Sequence, residues 1–129
     1  MARSAQTTPT AVELEILQVL WDRGPSTVRQ VVEVLNEARP RAYTSIQTMM
    51  NVMLEKRLVS RQEQGKAHVY RAMRRQDKTL GGLVKDLLGR AFDGSAASLI
   101  THVLDQSSPS AEELAEIQRL LDDYKEQQP

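Results

Sequence analysis

Residues 41–56 read RAYTSIQTMMNVMLEK and carry two opposed faces at helical spacing. At about 100° per residue, a core face forms around Ile46 from the apolar side chains of Met49, Met50, Met53 and Leu54. The opposite face holds no acid before Glu55 and consists of Arg41, Thr44, Ser45, Gln47, Thr48 and Asn51. A merely solvated helix face more often uses Glu, Lys or Gln, because Ser and Thr are indifferent helix formers. The stretch therefore predicts a helix that anchors to a core and offers its polar face to a partner.

Two amphipathic patterns precede this stretch, and a helix-breaking turn separates them. The first covers residues 12–21 and ends at the Arg-Gly-Pro sequence of residues 23–25. The second opens with the capping-box spacing of Thr27 and Gln30, after which apolar residues recur at i, i+3, i+4 and i+7. We therefore expect two short helices joined by a tight turn, followed by the helix of residues 42–56.

Two weak strand patterns follow the third helix. Residues 58–63 and 67–72 read as strands, and Gln64-Gly65-Lys66 is the turn between them. Helices joined by a tight turn and followed by a basic hairpin are the order of a winged helix-turn-helix. The predicted fold class is therefore mainly α with a small β-hairpin wing, in a winged-helix domain over residues 1–74.

The chain changes character after residue 74, where helical apolar stripes continue on an acidic background. Gly81-Gly82 inside the first stripe indicates either a bend or close helix packing. Three short helices of this kind bury little by themselves, because small cores are marginal. We therefore predict a three-helix dimerisation region over residues 75–129, in which a second copy completes the core. The residues predicted to form the homodimer contact are Leu83, Leu87, Leu88, Phe92, Leu99, Val103, Leu114, Ile117, Leu120, Leu121 and Tyr124.

Composition limits the classes of protein to which the chain can belong. Its 129 residues suffice for one domain, or for one small domain with an appended piece. The absence of cysteine excludes disulfides and thiolate metal sites. Residues 1–20 contain no long apolar run, so we expect no signal peptide, no membrane insertion and a cytoplasmic location.

Net charge is zero, yet the basic residues are concentrated in one segment. Residues 1–37 hold 3 Lys+Arg and 5 Asp+Glu, residues 38–75 hold 9 and 2, and residues 76–129 hold 5 and 10. The central segment therefore has a net charge of +7, between segments of −2 and −5. Such asymmetry indicates a negatively charged partner for the segment that contains the third helix.

The polar face of the third helix meets the requirements of a helix that enters the major groove of DNA. Phosphates disfavour acids on such a face, and short side chains let the backbone approach the bases. Gln and Asn match adenine, Arg matches guanine, and the Thr methyl group matches the thymine methyl. We therefore predict double-stranded DNA as the partner, with bases read by the polar face that runs from Arg41 to Asn51. The residues predicted to hold phosphates are Thr27, Arg29, Tyr43, Arg61 and Lys66.

Several stretches of the chain resemble the penicillinase repressor (BlaI/MecI) family of winged helix-turn-helix regulators. AYTSIQTMMNVMLEKRLV is similar to the family segment A-Y-T-T-[IV]-x-T-M-L-N-R-L-x-x-K-G-L-[VI], and ELEILQVLWDRGPSTVRQVVEVL is similar to its opening E-x-x-V-M-x-x-L-W-x-x-G-P. FDGSAASLITHVL and SAEELAEIQRLLD resemble its C-terminal motifs, so the likeness covers residues 9–124. The resemblance implies a dimeric repressor bound to inverted-repeat operators that control β-lactam resistance or a related stress operon. It also implies a membrane-bound sensor metalloprotease as a partner that inactivates the repressor by cleavage.

Three positions depart from the family pattern. Val52 stands where the family often has Arg, which removes a phosphate contact. Arg57 stands where the family usually has Gly, so either it adopts a left-handed conformation at some cost or the helix ends differently. The pair that matches the cleaved Asn-Phe of protease-sensitive members is His102-Val103. The absence of cysteine excludes the paired C-terminal thiols of the copper-responsive members.

Two other functions stay open on the sequence alone. The first is a winged-helix protein-interaction module without DNA binding, which zero net charge and Val52 favour. The second is an enzyme, for which His68 and His102 are the only histidines and no nucleophile–base or metal-ligand spacing is present. We therefore predict no catalytic residues, no metal site and no cofactor.

Overall fold

The computed structural model describes residues 8–128, which form six helices and one β-hairpin. The predicted order of elements and the mainly helical class are confirmed. The elements are α1 Ala11–Arg23, α2 Val28–Asn36, α3 Tyr43–Glu55, β1 Val59–Gln64, β2 Ala67–Ala72, α4 Gln76–Ala91, α5 Ala96–Ser107 and α6 Ala111–Glu126. Residues 1–7 and residue 129 of the predicted domain ranges lie outside the described residues.

The chain divides into two compact units, of which the first ends at Val84 and the second begins at Lys85. This boundary falls inside α4, whereas the predicted domain boundary precedes that helix. The functional division into residues 1–74 and 75–129 stays a prediction.

The core of the first unit lies between α1, α2, α3 and the hairpin. The predicted core face of α3 is confirmed, because Ile46, Met50 and Met53 are buried and Met49 and Leu54 pack against them half-buried. The largest fully buried apolar side chains are Ile16, Leu17, Val31, Met50, Met53 and Val59. Because aromatic residues are scarce, aliphatic and Met side chains fill most of this core.

Reciprocal caps fix the starts of the first two helices. The predicted box at α2 is confirmed: Thr27 Oγ1 accepts from Gln30 N–H at 3.2 Å, and Thr27 N–H donates to Gln30 Oε1 at 2.9 Å. A second box at α1 joins Thr10 and Glu13 in the same way, so α1 begins before the predicted residue 12. The T-x-x-E spacing of these two residues is the local signal that predicts this start.

Glu13 is a buried acid in the apolar pattern of α1. Only 1% of it is exposed, and its Oε2 lies 2.9 Å from Lys56 Nζ just after α3. Its Oε1 accepts the Thr10 N–H, so both carboxylate oxygens are satisfied. Burial of a carboxylate is tolerated when it is paired and hydrogen-bonded, and this pair ties the start of α1 to the end of α3.

The C-terminus of α3 ends in a Schellman motif whose left-handed residue is Arg57. Arg57 has φ 65°, its N–H donates to Leu54 O at 3.1 Å, and Leu58 N–H donates to Met53 O at 2.9 Å. These are the 5→2 and 6→1 bonds that usually accompany glycine at this site. Of the two outcomes expected for Arg57, the structure therefore shows the left-handed one.

Replacing Arg57 with Gly is expected to stabilise the protein by about 1 kcal/mol, because Gly has no Cβ to oppose the left-handed conformation. Urea unfolding followed by the fluorescence of Trp21, the only tryptophan, measures the change. Arg57→Ala is the matched control, since it removes the same side chain and keeps the Cβ. Equal stability of the Gly and Ala variants would contradict a strained Arg57.

The hairpin is a two-stranded antiparallel sheet with a shorter turn than predicted. Strand β1 starts and ends one residue later than expected, and Gln64 pairs with Ala67. The turn is therefore Gly65-Lys66 alone, with Gly65 at φ 65°, where an L side chain would be strained. An additional bridge joins Tyr70 to Ser26 in the turn between α1 and α2.

Helices α4, α5 and α6 contain no buried residue. Their apolar stripes lie exposed or half-buried, and α4 ends at Ala91, one residue before the predicted stripe residue Phe92. Helix α4 continues through Gly81 and Gly82. Apart from the adjacent residues and the helix's own backbone, no atom of the described residues lies within 4 Å of a Cβ built at either glycine. Close packing at these glycines therefore does not occur among residues 8–128. None of the described helices is long and apolar enough to cross a membrane.

Candidate nucleic-acid interface

The exposed face of α3 carries five of the six polar residues predicted for it. Thr44, Ser45, Gln47, Thr48 and Asn51 are all exposed, on the side opposite the buried Ile46. The first turn of α3 contains no acid. The resulting surface presents hydroxyl and amide groups that both donate and accept hydrogen bonds, without a carboxylate before Glu55.

The N-terminus of α3 has no side-chain cap. Its N-cap residue is Ala42, which makes no side-chain hydrogen bond, and the first intrahelical bond is from Ile46 N–H to Ala42 O. Helix α2 differs, because Thr27 and Gln30 cap it. The free N–H groups of the first turn of α3, together with the helix dipole, suit an anion such as a phosphate.

A concave surface next to this face brings together residues from α2, α3 and the hairpin. It encloses about 370 Å³, and its lining includes Thr27, Arg29, Tyr43, Gln47 and Lys66. Four of these are predicted phosphate ligands, and Gln47 is a predicted base reader. The fold therefore brings residues that are distant in sequence together around one concave surface.

Arg41 does not lie on the polar face of α3, and its placement there is corrected. The residue precedes the helix, its backbone N–H donates to Asn36 Oδ1 at 2.6 Å, and its side chain is only 13% exposed. Its Nη1 lies 2.9 Å from Glu15 Oε1 without hydrogen-bond geometry, so the contact is an ion pair. The guanidinium is therefore paired with a carboxylate of α1 and does not stand free beside the polar face.

The hairpin contributes two cations close to α3. Lys66 is exposed in the turn, and Arg61 extends from β1 with its guanidinium 6.0 Å from the centre of the Tyr70 ring. His68 on β2 lies 3.6 Å from Glu63, through its Nε2 and a carboxylate oxygen. The hairpin thus brings an exposed lysine and an arginine near α3, and cations of this kind suit contact with phosphates.

The predicted dimerisation residues lie on or beside the C-terminal helices, and none of them is fully buried. Leu87, Val103, Leu114, Leu120, Leu121 and Tyr124 are exposed, whereas Leu83, Leu88, Phe92, Leu99 and Ile117 are half-buried. Phe92 packs edge-on against His102, with ring centres 5.1 Å apart. Such a density of exposed aliphatic side chains is unusual for a surface that faces only water.

Within residues 8–128, no group of three His, Cys, Asp or Glu side chains could hold a metal ion. The two histidines lie on different elements, His68 on β2 and His102 on α5. His102 Nδ1 is 2.9 Å from Ser98 O, a contact in which the ring nitrogen donates.

Comparisons of the sequence with known proteins agree on one family. The sequence profile of the penicillinase repressor family matches residues 9–123. The transcriptional regulator BlaI of Mycobacterium tuberculosis is 34% identical over 97 residues, which are 74% of this chain and 70% of that protein. The penicillinase repressor of Bacillus licheniformis is 23% identical over 113 residues, which are 88% of each chain.

A solved structure shows the same fold at low sequence identity. It is the homodimeric winged helix-turn-helix DNA-binding domain of a possible ArsR-family regulator from Mycobacterium bovis. The match has a TM-score of 0.50 at 18% identity and covers 74% of this chain and 83% of that domain. The arrangement of α1, α2, α3 and the hairpin is thus a winged helix-turn-helix.

Proposed function

The chain belongs to the penicillinase repressor family, and on that premise we propose that it is a sequence-specific DNA-binding transcriptional repressor. It would act as a homodimer on inverted-repeat operators, with α3 in the major groove of each half-site. The observation that carries the proposal is the exposed, acid-free face of α3 beside a basic hairpin. A DNA-binding repressor must be in the same compartment as its operator, so the proposal includes a cytoplasmic location.

The proposed contacts divide between bases and phosphates. Gln47 offers the amide that matches adenine, and Thr44 and Thr48 offer methyl groups for thymine and hydroxyl groups for other edges. The phosphates would be held by the N-terminus of α3 and by residues around the concave surface. These residues are Thr27, Arg29, Tyr43 and Lys66, with Arg61 further along the hairpin.

Arg41 is outside the proposed interface. Its charge is matched by Glu15, and its guanidinium is largely covered. A cation already paired with a carboxylate adds little to the attraction for phosphate. The proposed base-reading surface is therefore Thr44, Ser45, Gln47, Thr48 and Asn51.

The proposed homodimer is supported by the stripes of the C-terminal helices, which a second copy would cover. A two-fold axis through this region would present two copies of α3 to the two halves of an inverted repeat. The names of the relatives, penicillinase repressor and methicillin resistance regulatory protein, point to β-lactam resistance genes as targets. The proposed domain division follows, with residues 75–129 as the dimerisation region.

A membrane-bound sensor metalloprotease is retained as a candidate partner on the family resemblance alone. The matching bond, His102-Val103, lies inside the continuous helix α5. A protease would have to unwind α5 to reach it. His102 and Val103 also replace the Asn-Phe pair, so the proposal of repression does not depend on this partner.

Binding to an operator-type duplex is expected to weaken steeply with salt. Neutralising six or more phosphates predicts a slope of about −5 or steeper in a plot of log K against log salt concentration. Fluorescence anisotropy between low and physiological salt measures it, with the binding duplex selected from a random-sequence pool. A flat slope, or a pool that yields no preferred sequence, would refute DNA binding by this face.

A further inference from the structure

The hydroxyl group of Tyr70 lies in a chain of hydrogen bonds between the hairpin and α3. Tyr70 is 2% exposed, Arg61 Nη1 donates to its Oη at 3.4 Å, and its Oη donates to Asn51 Oδ1 at 3.4 Å. A buried phenol hydroxyl needs such partners, because leaving it without them has a substantial desolvation cost. Tyr70 therefore joins a cation of the hairpin to the polar face of α3.

The backbone of Tyr70 is held on both sides. It lies opposite Arg61 in the hairpin register, and its N–H donates to Ser26 O at 2.8 Å. Ser26 N–H donates back to Tyr70 O at 2.9 Å. The backbone of Tyr70 is therefore fixed by the hairpin and by the turn between α1 and α2.

The donor–acceptor direction of these hydrogen bonds follows from Arg61. A guanidinium has only donors, so the Tyr70 oxygen accepts from Arg61 and its own proton points to Asn51 Oδ1. The nearby positive charge strengthens that donation. The Asn51 amide is thereby oriented, with its Oδ1 bonded to Tyr70 and its Nδ2 left to donate.

We infer that Tyr70 is a positioning residue for DNA recognition, which orients Asn51 so that its amide Nδ2 donates to an acceptor on the DNA. The inference rests on the proposed function. Asn usually recognises adenine by accepting and donating together. With Oδ1 held by Tyr70, Asn51 acts instead as a donor to acceptor atoms, and its contribution to sequence preference depends on a hydroxyl that never touches the DNA.

The test compares wild type, Tyr70→Phe, Asn51→Ala and the double variant on two duplexes. One is the duplex that wild type selects from a random pool, and the other has the same composition in shuffled order. Tyr70→Phe keeps the ring and is expected to weaken the selected duplex about tenfold, while the shuffled duplex is bound as before. The double variant should bind like Asn51→Ala alone, because the hydroxyl acts only through that amide.

The outcomes separate this inference from the proposed function. If wild type prefers no duplex, the proposed function fails and this inference with it. If wild type is selective but Tyr70→Phe keeps the same selectivity, or the two substitutions add fully, Tyr70 does not position Asn51. Thr101→Ala is the control, since it removes a side-chain hydroxyl bond on α5, to Ala97 O at 2.9 Å, and should leave the selectivity unchanged. Trp21 fluorescence confirms that each variant is folded.

Discussion

Replacing Gln47 and Thr48 together with glutamate is expected to abolish operator binding, lowering the affinity by about 100-fold or more. Both side chains are exposed on the face of α3 that the proposal places in the major groove. The substitutions remove two groups that match base edges and add two negative charges opposite the phosphates. Because neither residue is part of the core, the thermal unfolding of the variant should match that of wild type. Gel-shift titration on the selected duplex measures the loss.

The control adds the same charge elsewhere. Gln18→Glu with Gln127→Glu places two acids at exposed positions outside the face of α3, and it should reduce the affinity only slightly. The same experiment separates the repressor from a winged-helix module that binds only proteins. A Gln47 and Thr48 variant that binds DNA as wild type does would show that this face is not the reading surface.

Replacing Leu121 with Lys is expected to convert the dimer to a monomer and to reduce operator affinity by about 100-fold or more, because the two half-sites would no longer be bound as one. Leu121 is 44% exposed on the apolar stripe of α6, beside Leu114 and Tyr124. A buried ammonium group at a contact between apolar stripes has no partner to offset its desolvation. Sedimentation equilibrium gives the mass, and anisotropy titration gives the affinity.

Ala115→Lys is the matched control for this substitution. Ala115 is also exposed on α6, but it lies on the side of the helix away from the apolar stripe. The variant should remain dimeric and bind the operator with wild-type affinity. If the two lysine variants behave alike, or if Leu121→Lys stays dimeric, the contact does not run along this stripe.

Local spacing was sufficient to predict the elements that build the reading helix. The apolar repeat around Ile46 defined the core face of α3, and the box of Thr27 and Gln30 defined the start of α2. Both depend on residues within one or two helical turns, whose relative positions follow from helix geometry alone. The two alternatives for Arg57, a left-handed conformation or a different helix end, likewise followed from the local geometry of a helix C-terminus.

The features that the sequence did not reveal depend on contacts between elements. Arg41 precedes α3 and pairs with Glu15 of α1, a contact between residues that are not neighbours in sequence. Glu13 interrupts an apolar pattern yet is buried, because Lys56 meets it from the end of α3. The hydrogen bonds of the Tyr70 hydroxyl were not predicted for the same reason, because a strand pattern does not show which residues a side-chain hydroxyl contacts.

The lack of buried residues in α4, α5 and α6 has a consequence for the life of the protein in the cell. Ordering a residue costs about 1–2 kcal/mol of conformational entropy, and these helices bury too little within one chain to offset it. Under the proposed dimerisation, this half of the molecule completes its fold only when two chains meet. Newly made chains at low copy number would remain partly open to proteases, and occupancy of the operator would begin only above a threshold of abundance.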